Sequence, residues 1–198
     1  MNLSALVPLF RFHPASRKSA MLAAAAAGLA FIGAVAAMSQ VHAASAETEG
    51  QLNAIDKQFL MTAAQAGNAE IVASKTATGK ANSDAVKAFA SEMLADHAKV
   101  ADGLKKLANS KGISVPDEPS MKQQALIAKL NVLDGAKFDQ LYTAEIGVVA
   151  HKEAVALFRK AVVNAKDGDV KAFAQQTLPA LEHHLQMAQS LKTAVDKE

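Results

Sequence analysis

The chain has 198 residues, with 21 Lys and Arg against 19 Asp and Glu, no cysteine, no tryptophan and a single tyrosine. The missing thiol excludes disulfides, thiolate catalysis and iron–sulfur or zinc–thiolate sites. Abundant alanine with few aromatics favours closely packed helices over a sheet, and the near-balance of charge removes the basic footprint of a nucleic-acid binder.

The first 46 residues read as an export signal. Arg11, Arg17 and Lys18 precede an apolar run from Ala20 to Met38, followed by two small-residue cleavage patterns, Val41-His42-Ala43 and Ala44-Ser45-Ala46. Cleavage after Ala43 or Ala46 leaves one domain, residues 47–198, and places it in the periplasm or against the outer envelope. The alternative is an uncleaved membrane anchor, since the run is nearly long enough to span a bilayer. Removing the leader takes three basic residues and no acidic one, leaving 18 against 19. No nucleic-acid partner is expected; peripheral association with the envelope is compatible with the leader, and the oligomeric state is not legible.

Helical periodicity organises the remainder. A first helix over Asn53–Thr78 carries Ile55, Phe59, Ala63, Ala66, Glu70, Ala73 and Ala77 on one face, with Gly79 as its stop. After a cap at Asn82 or Ser83, a second helix runs to Ser110 with Val86, Ala90, Met93, His97, Val100, Leu104 and Leu107 inward; Gly112 and Pro116 end it. Ser120-Met-Lys-Gln123 is a capping box opening a short helix within a long crossover. A helix over Ala136–Ala165 follows, with Leu141, Ala144, Val148, His151, Val155, Phe158 and Val162 on its stripe. The last helix, to Val195, turns Val170, Thr177, Leu181, His184, Met187 or Ala188, and Leu191 inward. Pro179 inside it predicts a kink just before His184. Other glycines read as helix caps.

Val86-Lys-Ala-Phe-Ala90 repeats as Val170-Lys-Ala-Phe-Ala174, which suggests two related hairpins. Two hairpins joined by a long crossover describe a ferritin-like four-helix bundle, an all-α fold. An up-down-up-down bundle is the other topology open at this level.

Glu70, His97, His151 and His184 stand on the apolar stripes of four different helices, where an unpaired polar group costs several kcal/mol, roughly 2–5. Counting about 1.5 Å per residue from the helix ends puts all four near mid-height, within a slab about 8 Å thick. One carboxylate and three imidazoles at one level suit a single divalent transition ion (Zn, Fe, Mn or Cu), with Asp96 supporting a ligand from behind. Met93 and Met187 share helix faces with His97 and His184, an alternative donor set that selects Cu(I). The metal-free alternative is a buried hydrogen-bonded network that fixes helix register.

Enzymatic chemistry has no support beyond such a metal. The Glu-x-x-His pairs of a di-iron site are absent: Ala95, Val148 and Leu185 stand three residues after Glu92, Glu145 and Glu182. No phosphate-binding loop or nucleophile elbow occurs.

The mature chain resembles the uncharacterised bacterial envelope family known as domain of unknown function 4142. The resemblance rests on Asp56, Phe59, Leu60, Gly67 and Glu70, then Phe89-Ala90, Met93, Asp96-His97 and Leu104. It continues through Gly135, Phe138-Asp139, Tyr142, His151 and Leu157-Phe158 to Phe173-Ala174, Thr177-Leu-Pro179, Leu181 and His184-Leu185. It implies an exported helical bundle of the ferritin-like superfamily, without an established reaction; a role in envelope stress is compatible with the export signal. Its characteristic polar residues fall on Glu70, Asp96, His97, His151 and His184.

Overall fold

The computed structural model describes residues 52–197, which are helical throughout apart from their turns and one crossover. The expected leader lies outside the described residues. Helix α1 spans Ala54–Lys80, α2 Asp84–Ser110, α3 Met121–Asn131, α4 Gly135–Leu141, α5 His151–Asn164 and α6 Gly168–Val195; a π-helical stretch, Tyr142–Ala150, joins α4 to α5 without a break. Among the described residues no helix is long and apolar enough to cross a membrane.

Local chemistry sets the ends. Asn53 caps α1 by accepting the Ile55 and Asp56 amides at 2.8 and 3.0 Å. Gly112 takes φ +67° after α2, and the amides of Gly112 and Ile113 turn back to the carbonyls of Asn109 and Ala108. That pairing satisfies carbonyls the helix leaves open. The capping box at Ser120 forms as expected. Helix α1 runs two residues past the predicted end, through Gly79, because Lys80 still bonds forward to the crossover, to the Asn131 carbonyl and Asp134. Ile55, expected inward, is 54 % exposed; Phe59 and Leu60 start the buried face instead.

Two buried aspartates fix the threading. Asp56, at the start of α1, accepts the Lys166 and Asp167 amides in the α5–α6 turn at 3.1 and 2.7 Å. Asp139, in α4, accepts the Asn82 and Ser83 amides in the α1–α2 turn at 3.0 and 2.7 Å. The start of α1 therefore lies beside the α5–α6 turn, and the start of α4 beside the α1–α2 turn. Helix α2 and the α4–π–α5 column consequently run in the same direction, and the crossover returns along the full height of α1. The up-down-up-down order is excluded.

The same pair of clamps gives the internal repeat a physical form: each hairpin's turn is held by the other hairpin's aspartate. Asp56 precedes Ser83 by 27 positions, whereas Asp139 precedes Asp167 by 28. The extra residue is absorbed by the π-helical stretch, since a π bulge is a one-residue insertion in an α-helix. Its consequence is a register shift. Leu141 and Ala144, placed inward by the sequence pattern, are half-buried, and Tyr142 and Ile146 fill the core in their place.

Gly147 in this stretch is no cap. A β-carbon there would lie 2.9 Å from the Ala188 β-carbon, so the π-helical backbone approaches α6 more closely than any side chain permits. Helix α6 continues through Pro179.

Ser83 occupies the α2 cap position without a side-chain capping bond; its own amide, with that of Asn82, donates to the Asp139 carboxylate. Asp139→Ala and Asp56→Ala are each expected to destabilise the protein by about 2–4 kcal/mol, because two backbone amides lose a charged acceptor. Ser83→Ala is expected to cost under about 0.5 kcal/mol. Chemical denaturation checks this, and a Ser83 effect as large as that of Asp139 would refute the division of labour.

Candidate metal centre

The apolar interior is divided in two. One cluster gathers Val86, Phe89, Met93, Phe138, Tyr142 and Ile146 towards the α1–α2 turn; the other gathers Phe59, Leu60, Leu104, Phe158, Val170 and Leu181 towards the α5–α6 turn. Along each element the break between them carries one polar residue: Glu70 in α1, His97 in α2, His151 at the head of α5 and His184 in α6. All four are at most 2 % exposed.

The four side chains meet. The Nδ1–H of His97 donates to Glu70 Oε2 at 3.0 Å, and Glu70 Oε1 lies 3.6 Å from His151 Nδ1. His151 donates that same proton to the Ile146 carbonyl at 3.0 Å. His184 donates from Nε2 to Asp96 Oδ2 at 3.4 Å. The ring centroids of the three histidines are 5.3–5.6 Å apart.

Each acceptor in this set is a carboxylate or a carbonyl, so each imidazole spends its one neutral-state proton outward. The opposite nitrogens, His97 Nε2, His151 Nε2 and His184 Nδ1, are buried and find no hydrogen-bond partner among the described residues, and neither does Glu70 Oε1. One ring nitrogen from each of the three histidines lies within 4.8 Å of the others.

Electrostatics follow from this geometry. Burial alone would push the Glu70 carboxyl up, but the imidazoles around it, His97 first, hold it below the usual carboxylate range. Burial likewise opposes charge on His97, and the Glu70 carboxylate overcomes that and raises its pKa. His151 has its pKa lowered by burial, despite Glu70. His184 is pushed down to about 4 by burial and by the charges of His97 and His151, against the pull of Asp96.

Asp96 is partly exposed and shared: Lys99 holds Oδ1 at 2.9 Å while Oδ2 faces His184. Met93 and Met187 pack with the apolar cluster towards the α1–α2 turn. His183 is exposed, beside α2.

Two participants escape a reading of the sequence alone. The Ile146 carbonyl carries no side-chain signal, although Gly147 inside a long helix marks an unusual backbone. Glu92 is exposed four residues before Asp96, on the same face of α2, and joins Asp96 and His184 as a second group with ligand atoms within 4.8 Å of one another.

The described chain is thus an all-α protein whose interior carries a layer of imidazoles around a carboxylate. It belongs to the family described as Domain of unknown function (DUF4142), whose pattern matches residues 37–191. The crystal structure of a conserved hypothetical protein, rv2844, from Mycobacterium tuberculosis is similar in fold, with a TM-score of 0.56 over 71 % of this chain and 92 % of that one, at 16 % identity. No curated protein matches the chain.

The low His184 pKa has a sign that can be checked. A histidine titrates ordinarily near 6.5 and His184 near 4 in the fold, so on acidification the unfolded chain takes up the proton first. Its contribution is intact above pH 6.5 and drains away between 6.5 and 4; His97, raised by Glu70, contributes with the opposite sign. In chelator, the melting temperature is expected to fall over that window, and to fall less in His184→Gln. Equal slopes in the two proteins would remove His184 as a source.

Proposed function

We propose that the chain is an exported ferritin-like four-helix bundle that holds one divalent transition-metal ion on His97, His151 and His184. The observation that carries this reading is the set of three buried ring nitrogens, each left without a partner while the proton on the opposite side of its ring is engaged. Nitrogens bound at about 2.0–2.1 Å around a tetrahedral ion sit about 3.4 Å apart, and one nitrogen of each ring already lies within 4.8 Å of the others. Imidazole donors suit Zn, Cu or Fe better than Mn.

Glu70 acts in this reading as a support rather than a ligand. Its Oε2 orients His97, as carboxylates behind metal-bound histidines commonly do, and the Ile146 carbonyl and Asp96 orient the other two rings. With His97 neutral, the Glu70 and Asp96 carboxylates supply two negative charges close to an ion of charge +2. Three protein ligands leave a position for an exogenous group, and the ion supplies Lewis acidity there.

The threading of the two hairpins, with α2 and the α4–π–α5 column parallel and a structured crossover between them, supports the ferritin-like assignment. Arg11, Arg17, Lys18, the apolar run and the two cleavage patterns support export to the periplasm or envelope.

The rival reading, a metal-free network that sets helix register, draws on the 3.0 Å bond between His97 and Glu70. Elemental analysis after loading with Zn²⁺, Fe²⁺ or Cu²⁺ in turn separates the two. One equivalent is expected in the wild type and less than a tenth of that in His151→Ala, with a chelator-sensitive rise in melting temperature of several degrees on loading. No bound metal under any of these conditions, with an unchanged transition in chelator, leaves the network reading standing.

A further inference from the structure

The trio of ring nitrogens is sealed from solvent, so an ion needs a way in. Two concavities lie near the layer, and no histidine of the trio lines either. One, about 550 Å³, lies under α3 between α1 and the π-helical stretch, with Glu70 among its lining residues. The other is the groove between α2 and α6, about 580 Å³, lined by Phe89, Glu92, His183 and Met187, and it meets the carboxylates of α2 through Glu92.

The α2–α6 groove leads to metal-binding chemistry of its own. Glu92, Asp96 and His184 bring ligand atoms within 4.8 Å of one another, the first exposed, the second partly exposed and the third buried. Glu92 makes no hydrogen bond or ion pair among the described residues, and Asp96 has Oδ2 turned to His184 while Lys99 occupies Oδ1. His184 is common to both groups: its Nε2 faces the carboxylates outside and its Nδ1 is the unpartnered nitrogen inside. It is the one histidine of the trio that reaches a carboxylate at the surface.

We infer that Glu92, Asp96 and His184 form a second, solvent-facing site for a divalent transition cation, the port through which the buried histidines are loaded. The inference rests on the metal-binding reading above. Two carboxylates attract the hydrated ion and replace part of its water, and the imidazole adds a nitrogen donor suited to the same ions as the inner trio. A neutral imidazole has one lone-pair nitrogen, so His184 serves the outer and inner positions in turn and not together. The loaded protein accordingly holds one ion.

Stopped-flow mixing of the purified metal-free protein with Co²⁺, followed by its visible absorption, tests this. Glu92→Gln is expected to slow uptake by roughly three- to tenfold, the loss of one steering charge at the entrance, with one equivalent and the same spectrum at the end point. In His151→Ala, which lacks an inner ligand, equilibrium dialysis is expected to show weak Co²⁺ binding that Glu92→Gln abolishes. Uptake at the wild-type rate in Glu92→Gln overturns the port, as does slowing by Ala66→Leu, which fills the α1–α3 cavity, in its stead. Absence of the weak binding in His151→Ala overturns it too. A wild-type protein that takes up no Co²⁺ sinks the inner site and the port together, whereas unaltered kinetics in a protein that binds one ion sinks the port alone.

Discussion

Everything in this fold is arranged around a carboxylate and three imidazoles that cannot reach water. An apolar interior charges about 1–3 kcal/mol for each buried polar atom without a partner, and four such atoms lie in one layer. The other ring nitrogens and the second Glu70 oxygen are satisfied within the protein. Glu70, the Ile146 carbonyl and Asp96 each take one imidazole proton, and what remains is a set of acceptors facing one another. With neutral rings the unpartnered nitrogens are acceptors without a donor among the described residues, which is what supports the metal-binding reading.

The π-helical stretch is the structural cost of placing His151 in that layer. A regular helix through Tyr142–Ala150 with His151 inward would turn Leu141 and Ala144 inward with it, on the same stripe. Inserting one residue turns Tyr142 and Ile146 to the core, where Tyr142 shares a hydrogen bond of 2.8 Å with buried Ser74. The same insertion frees a carbonyl five residues back for the His151 ring, and Gly147 lets the widened turn sit against α6. Backbone irregularity, close packing against α6 and imidazole orientation are here one event.

Helix existence, the capped crossover and the inward placement of Glu70, His97, His151 and His184 were legible because a 3.6-residue period survives any amount of tertiary detail. Two kinds of feature were not. The register of α4 and the π-helical stretch was misplaced by one residue, since a pattern of Leu141, Ala144 and Val148 fits an unbroken helix as well as the true face does. The cap position of α2 at Ser83 follows the local rule, but the grip of Asp139 on the amides of Asn82 and Ser83, 56 positions away from the latter, leaves no local signal. Periodicity locates Glu70 on an inward face without saying which atom of a neighbour it meets; its 3.0 Å contact with His97 Nδ1 supports the orienting role proposed for it.

The clamps at the two ends explain why the layer does not relax. With Asp56 gripping the α5–α6 turn and Asp139 the α1–α2 turn, the hairpins can neither slide nor splay without stripping buried carboxylates of two amides each. A polar layer at mid-height between such clamps is as far from either end as the fold permits, so opening a path for water to all three rings means undoing one clamp or the packing beside it. His184 alone has a shorter route, through Asp96 to the face of α2, and the exposed Glu92 stands one turn away on that face. Rigidity at the ends and a thin wall at His184 are what let the layer keep unpaired nitrogens in the interior while remaining within one side chain of solvent.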